Sequence, residues 1–217
     1  MLNLKTLEEE KALTTLDEGV DPLIKQVSYL IVPDLFSSEE CDIFVDYVEK
    51  NHKIERGKLR DQSYANSRTS EITFVEQDST NKWFYNRILE RILPINNKYQ
   101  KFELSHLDRL QYTSYKKDQY LKLHTDDYFD YLNNTQIPNL VMRKLSVSIG
   151  LNDEYEGGEF EIHNYKGTLE NAYDVQKFRL PKGSAIVFPS FQLHQVYPVT
   201  EGIRKAVVAW FFGQKWK

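Results

Sequence analysis

The chain has 217 residues, enough for one well-buried core, and nothing in its length demands a second domain. It is 41% hydrophobic and 28% charged, with 14 Tyr and 12 Phe against 9 Gly and 7 Pro, which is ordinary globular usage rather than that of a disordered chain. A net charge of -4 offers no basic stripe to a phosphate backbone, so no nucleic-acid partner is expected, and a single cysteine excludes an intrachain disulfide or a multi-cysteine zinc site.

Residues 1–22 are polar, rich in Glu and Lys, and end near Gly19 and Pro22; they are expected to form an N-terminal extension to one domain over 23–217. The extension has no apolar run fit for a signal-peptide core, and no stretch approaches the ~20 apolar residues of a membrane span, so a cytoplasmic protein is expected. Val27 to Val32 reads as a buried strand, punctuated by Pro33 and Asp34. Ser37 then starts a helix over 38–50: Glu40 completes a capping box, Phe36 can staple onto Cys41, and Cys41, Phe44, Val45 and Val48 form one apolar stripe. The lone thiol is therefore read as a packed, unreactive core group. A second helix is predicted over Ser79–Leu93, with Phe84, Ile88 and Ile92 at helical spacing, a cap at Ser79 and a stop at Pro94. These helices, over about 34–95, are expected to support a sheet.

After Pro94 the period changes to two: Phe102, Leu104, His106 and Asp108 alternate with Glu103, Ser105, Leu107 and Arg109. Strands are predicted over Leu107–Tyr115, Lys144–Leu151, Glu159–His163, Ser184–Phe188 and Arg204–Phe212, with Gly and Pro clusters between them. Many short strands after two helices describe a mainly β chain, a barrel or sandwich over about 100–214 with helices flanking one side.

His124 and Asp126 stand two residues apart, so on an extended chain both side chains point to one face and can share a metal. His194 follows the strand and turn that begin at Ala185, where a barrel strand would end at the mouth of a site. Two imidazoles and one carboxylate on one side of an iron(II) leave the opposite positions open for a co-substrate and oxygen. The His-x-Asp pair alone is a weak signal in a chain with 5 His and 32 acidic residues. Arg204 strengthens it. It comes ten residues after His194, across the turn from Tyr197 to Gly202, and so lies on the next strand. By parity Arg204, Ala206, Val208, Trp210 and Phe212 share one side, and Lys205, Val207, Ala209 and Phe211 the other. If the first set faces inward, the guanidinium needs an anion, because an unpaired buried charge costs several kcal/mol. A dicarboxylic keto acid supplies one, its far carboxylate held by the planar Arg204 fork while its keto-acid end chelates the metal. The plainer alternative is a solvent-exposed Arg204 after a turn. His52, His106 and His163 read as surface or core residues.

Together these residues resemble the prolyl 4-hydroxylase superfamily, including PKHD-type hydroxylases, within the iron(II) and 2-oxoglutarate-dependent oxygenases. The likeness spans about 66–213. It runs through Ser67-Arg68-Thr69-Ser70 and Phe74, Tyr115, His124-Thr125-Asp126, Arg143-Lys144-Leu145-Ser146, Leu151-Asn152-Asp153 and Gly157-Gly158-Glu159-Phe160. It continues through Leu180-Pro181-Lys182-Gly183, Phe188-Pro189-Ser190, His194, Pro198-Val199-Thr200, Gly202, Arg204 and Trp210. The resemblance implies a double-stranded β-helix (jelly-roll, cupin-like) core, iron on His124, Asp126 and His194, and 2-oxoglutarate on Arg204, with ascorbate as a reductant. It further implies Tyr115, Trp210 and Ser148 around the co-substrate, Arg68 and Tyr128 toward the substrate, and no catalytic acid or base beyond the metal centre. Asp118 and Leu121 depart from the Gly and Tyr that the family often has before its first ligand. The aromatic stretch from Asp127 to Val141 is long enough for a substrate lid.

The implied reaction hydroxylates an unactivated carbon and releases succinate and CO2, with a prolyl residue of a peptide or protein as the leading substrate and a free amino acid or other small molecule as the alternative. Two further readings stay open: a cupin-like metal site working without 2-oxoglutarate, zinc hydrolases included, and an inactive barrel that only binds.

Overall fold

The computed structural model describes residues 29–57, 68–127, 141–165 and 173–214. In chain order they form β1 (Leu30–Val32), α1 (Ser38–Asn51), β2 (Glu55–Arg56), β3 (Glu71–Val75), α2 (Lys82–Ile95) and one π-helical turn (Asn96–Gln100). Strands follow: β4 (His106–Leu107), β5 (Leu110–Tyr115), β6 (Leu121–His124), β7 (Val141–Gly150), β8 (Tyr155–Gly157) and β9 (Phe160–Tyr165). The last are β10 (Tyr173–Phe178), β11 (Ala185–Pro189), β12 (His194–Val196), β13 (Val199–Gly202) and β14 (Arg204–Gln214).

The larger sheet runs β1-β11-β7-β14-β5-β3-β2, with β4 also on β14; the smaller runs β10-β9-β12-β6, and β13 pairs with β8. Both sheets contribute side chains to one cavity, and the fold is mainly β, a double-stranded β-helix with two helices against one sheet.

The larger sheet has two buried faces, and the period of two divides its residues between them. From β14, Val207, Ala209 and Phe211 join Leu145, Val147, Ile149, Ala185 and Val187 in a core covered by the helices. The intervening Arg204, Ala206, Val208 and Trp210 line the cavity, as parity predicts. On the helix side Phe84 lies between Phe36 and Phe44, with ring centroids 3.9 and 3.8 Å apart. Each such fully buried ring contributes about 1.5–3 kcal/mol. Tyr112 Oη and Lys205 Nζ both reach Glu49 Oε1, at 2.7 Å each, which ties α1 to the back of the sheet.

The start of α1 is as predicted: Ser37 Oγ accepts from the Glu40 amide at 3.2 Å, and Glu40 Oε2 accepts from the Ser37 amide at 2.9 Å. The ends of α2 are not. Asp78 Oδ1 accepts from the amides of Thr80 and Asn81, and Asn81 Oδ1 accepts from the Asp78 amide, so a closed polar loop replaces a cap at Ser79. Nor does Pro94 stop the helix. It sits inside the last turn of α2, and the chain runs on into the π turn, which ends at Lys101 with φ 56°. Asn96 locks that exit by donating to Phe102 O at 3.0 Å and accepting from Phe102 N at 3.2 Å.

Two strand predictions also change. The alternating stretch from Phe102 stays irregular until His106, although Ser105 N already donates to Phe212 O at 2.7 Å. The first strand begins at Leu30, and residues 27 and 28 lie outside the described residues. Cys41 is buried in the helix-side core. No helix among the described residues is long and apolar enough to cross a membrane.

Candidate active site

His124 ends β6 and His194 begins β12, and the two are direct cross-strand partners in the smaller sheet. Asp126 follows β6, where its amide donates to Ser190 O at 2.7 Å and fixes the chain beyond the strand. The three side chains converge: one ligand atom from each lies within 4.8 Å of the others. His124 Nε2 is 3.5 Å from Asp126 Oδ1, and His194 Nε2 is 3.6 Å from Asp126 Oδ2.

The backbone sets which nitrogen is available. His124 Nδ1 donates to Lys122 O at 2.8 Å and His194 Nδ1 to Gln192 O at 2.9 Å; since a carbonyl only accepts, each ring keeps its proton on Nδ1 and turns a bare Nε2 inward. Burial and the neighbouring His124 push the His194 imidazole down to about 4, against the pull of Asp126, so the ring is neutral at pH 7. Burial alone would raise the Asp126 carboxyl, but the imidazoles of His194 and His124 and the Arg143 guanidinium outweigh it and hold the carboxyl well below the ordinary range.

Asp126 is also held from the larger sheet. Ser146 Oγ and Trp210 Nε1 each donate to its Oδ2 at 2.9 Å, and Ser146 Oγ lies 2.9 Å from Ser190 Oγ. Ser146 and Trp210 are themselves register partners on β7 and β14. Both bonds fall on Oδ2, which leaves Oδ1 as the oxygen presented to a metal.

Arg204 is 3% exposed and pairs in register with Tyr115, its Cζ 5.3 Å from the centre of that ring. Among the described residues it has no carboxylate partner. Gly158, at φ 64°, makes room for it, since a Cβ there would lie 3.0 Å from Arg204 Cδ. The exposed alternative for Arg204 is therefore excluded, and Lys205 takes the outward position on the back of the sheet.

Arg204, Tyr115, Ser148, Trp210 and Arg68 all line the same cavity as the triad, of about 460 Å³ with its open mouth included. Asn152 caps the turn before β14, donating to Ile203 O and accepting from Lys205 N at 2.8 Å each. Tyr128 and nearly all of the stretch read as a lid lie outside the described residues. His163 joins Glu161 at 2.8 Å, and His106 stacks on Phe212; neither lines the cavity. Unpredicted contributors are Ser190, Gln111, Thr113, Phe160 and Phe188. Parity along β5 would have found Gln111 and Thr113, which alternate with Leu110 and Tyr112, whereas the anchoring carbonyls of Lys122 and Gln192 leave no mark in a sequence.

A jelly roll whose two sheets enclose a His-x-Asp pair, a distal His and a buried Arg is the architecture of a metal-dependent oxygenase fold. Comparison with known proteins points the same way: residues 110–212 match the family model of the 2OG-Fe(II) oxygenase superfamily, and partial matches to PKHD-type hydroxylases accompany it. It is 45% identical over 78 residues to a PKHD-type hydroxylase of Burkholderia ambifaria, a match covering 34% of this chain and 31% of that protein. The match thus spans about a third of that relative's length. Among solved structures, a viral collagen prolyl hydroxylase from Paramecium bursaria Chlorella virus-1, in a 2OG complex, superposes with a TM-score of 0.61 at 21% identity, covering 86% of this chain and 96% of that one. A prolyl hydroxylase from Trichoplax adhaerens, in complex with a hypoxia inducible factor peptide fragment, gives 0.65 at 16% identity, covering 85% and 83%.

Proposed function

We propose that the chain is an iron(II) and 2-oxoglutarate-dependent hydroxylase, with residues 23–217 as its oxygenase domain and a prolyl residue of a peptide or protein as its substrate. One observation carries this reading: a buried Arg204 without a carboxylate partner among the described residues opens into the cavity that holds two imidazoles and a carboxylate.

The donor set fits iron(II). Two imidazoles present Nε2, one ionised carboxylate presents Oδ1, and their spacing suits a single ion bound on one side. Bound iron(II) with 2-oxoglutarate supplies the oxidising chemistry, in which oxygen and the keto acid yield succinate, CO2 and a hydroxylated carbon. The chain's own residues do the rest. His124, Asp126 and His194 hold the ion, while Ser146 and Trp210 fix the carboxylate. Arg204 grips the far carboxylate of 2-oxoglutarate by its planar fork, with Tyr115 beside it and Ser148 in the same cavity lining. Phe160, Phe188 and Val196 exclude water from the wall near the triad. No side chain has to take a proton from the carbon that reacts, and ascorbate serves as an external reductant.

The peptide in the Trichoplax relative and the hydroxylase relatives support a peptidyl substrate. The test is 2-oxoglutarate consumption by purified protein with ferrous iron, beside His124→Ala and Arg204→Ala, with intact-mass analysis of proline-containing peptides. Turnover lost in both variants and a gain of one oxygen on a peptide are expected. No iron-dependent turnover in the wild type would end the enzyme reading, and turnover without any modified peptide would end the peptidyl one.

A further inference from the structure

Arg68 is a second buried arginine in the same cavity, 9% exposed. Its partners among the described residues are neutral: Nε donates to Ser70 Oγ at 2.6 Å, Nη1 to Gln111 Oε1 at 3.5 Å and Nη2 to Thr113 Oγ1 at 3.4 Å. Among the described residues no carboxylate pairs with it. A guanidinium has five N–H donors, so these three bonds leave one N–H on each terminal nitrogen, the pair that grips a carboxylate in two parallel bonds.

The group is seated before any ligand arrives. Arg68 bridges to Leu121, three residues before His124, and its fork rests on β5 over Gln111 and Thr113. Behind it Gly57 packs so closely that a Cβ there would lie 3.1 Å from Arg68 Nε. A fixed, desolvated cation that meets only neutral dipoles is costly unless an anion completes it.

Under the proposed function, both carboxylates of 2-oxoglutarate are already engaged, one at the metal and one at Arg204. Asp126 is turned toward the imidazoles, Ser146 and Trp210. Among the described residues and the co-substrate, then, no anion is left for Arg68, and the molecule that is oxidised is the remaining occupant of the cavity.

We infer that Arg68 is a specificity-determining residue that recognises a carboxylate carried by the substrate. That carboxylate is either the α-carboxylate of a free amino acid or peptide end, or the side chain of an acidic residue beside the target. The inference rests on the proposed function, since it needs 2-oxoglutarate to occupy Arg204.

The test uses the full chain loaded with manganese(II), which holds the site without turnover, and isothermal titration calorimetry. Titration with 2-oxoglutarate comes first. Ligand pairs follow, each as carboxylate and carboxamide: free L-amino acids, N-acetyl-L-proline, and peptides with Glu or Gln next to proline. At least one carboxylate should bind about tenfold or more tightly than its amide, and the pair concerned distinguishes a chain-end from a side-chain carboxylate. Arg68→Gln should abolish the preference with 2-oxoglutarate binding unchanged, and Arg68→Lys, which keeps the charge, should retain part of it. If 2-oxoglutarate itself does not bind, the proposed function falls and takes this inference with it. If it binds but no pair differs, or the preference survives Arg68→Gln, the inference alone is overturned.

Discussion

The indole of Trp210 donates to Asp126 Oδ2 across 2.9 Å, joining the middle of β14 to the segment after β6. Each belongs to a different sheet wall, so this bond and its companion from Ser146 link the wall that bears Arg204 to the wall that bears both imidazoles.

Replacing Trp210 by Phe keeps most of the ring and removes the donor. The prediction is weaker metal binding, by about tenfold to a hundredfold, as for other partners that orient a ligand. Manganese(II) titration followed by electron paramagnetic resonance measures it, with circular dichroism as the control on folding. Unchanged affinity would show that Ser146 alone suffices to hold Asp126.

Arg204→Met removes the charge and the fork together. Loss of a buried charged partner costs about 2–5 kcal/mol, so 2-oxoglutarate affinity should fall more than tenfold while metal affinity stays near that of the wild type. Arg204→Lys should fall between the two, because an ammonium keeps the charge without the two parallel bonds. Calorimetric titration of the manganese-loaded variants separates these cases; equal binding by Met and Arg would rule out Arg204 as the anchor.

Local pattern made part of this site legible and long-range pairing hid the rest. Extended-chain parity was enough to put His124 and Asp126 on one face and to turn Arg204, Ala206, Val208 and Trp210 inward, because β14 keeps one register past all of them. The capping box at Ser37 and Glu40 was legible because it spans only four residues. Ser146, Ser190 and Trp210 meet at Asp126 from three distant segments, and no periodicity encodes that meeting. Strand β5 is buried on both faces, so burial does not tell them apart, and only the parity that Gln111 and Thr113 share with Tyr115 marks them as cavity residues. Pro94 misled for a different reason: it falls in the last turn of α2, and the helix runs past it to Ile95 and into the π turn.

Gly183 has φ 81°, and a Cβ there would come within 2.1 Å of Phe36 O. Its own carbonyl accepts from Phe36 N at 3.1 Å, so the turn before β11 is clamped to the start of α1. Gly183→Ala should destabilise the fold by about 2 kcal/mol or more, through backbone strain and a contact with rigid main chain. For a chain of this size that corresponds to a melting temperature lower by about 4–8 °C, readable by calorimetry. A shift under a degree would mean that the clamp yields at little cost.

Burial pushes the Cys41 thiol up to about 11, with Lys182 opposing and Asp42 and Glu40 adding to the rise. The folded state thus disfavours the thiolate. In the unfolded chain the thiol ionises near about 8.5, so the stability tied to it is complete below that pH and fades as pH climbs toward the folded value. Native protein at pH 8 should be inert to a thiol-reactive dye until denaturant is added. Cys41→Ala should remove part of the loss of stability between pH 8 and 11 in urea titrations. Prompt labelling of the native protein would contradict this burial.

In β14 the side chains that touch ligands and those that fill the helix-side core are interleaved one by one. Function and stability therefore share a single reading frame. Loss of one residue at the start of that strand would exchange its two faces, swinging Arg204 against the helices and a core valine toward the metal. Point substitutions can tune this wall residue by residue, but a change in its length would cost the protein its site and its core together.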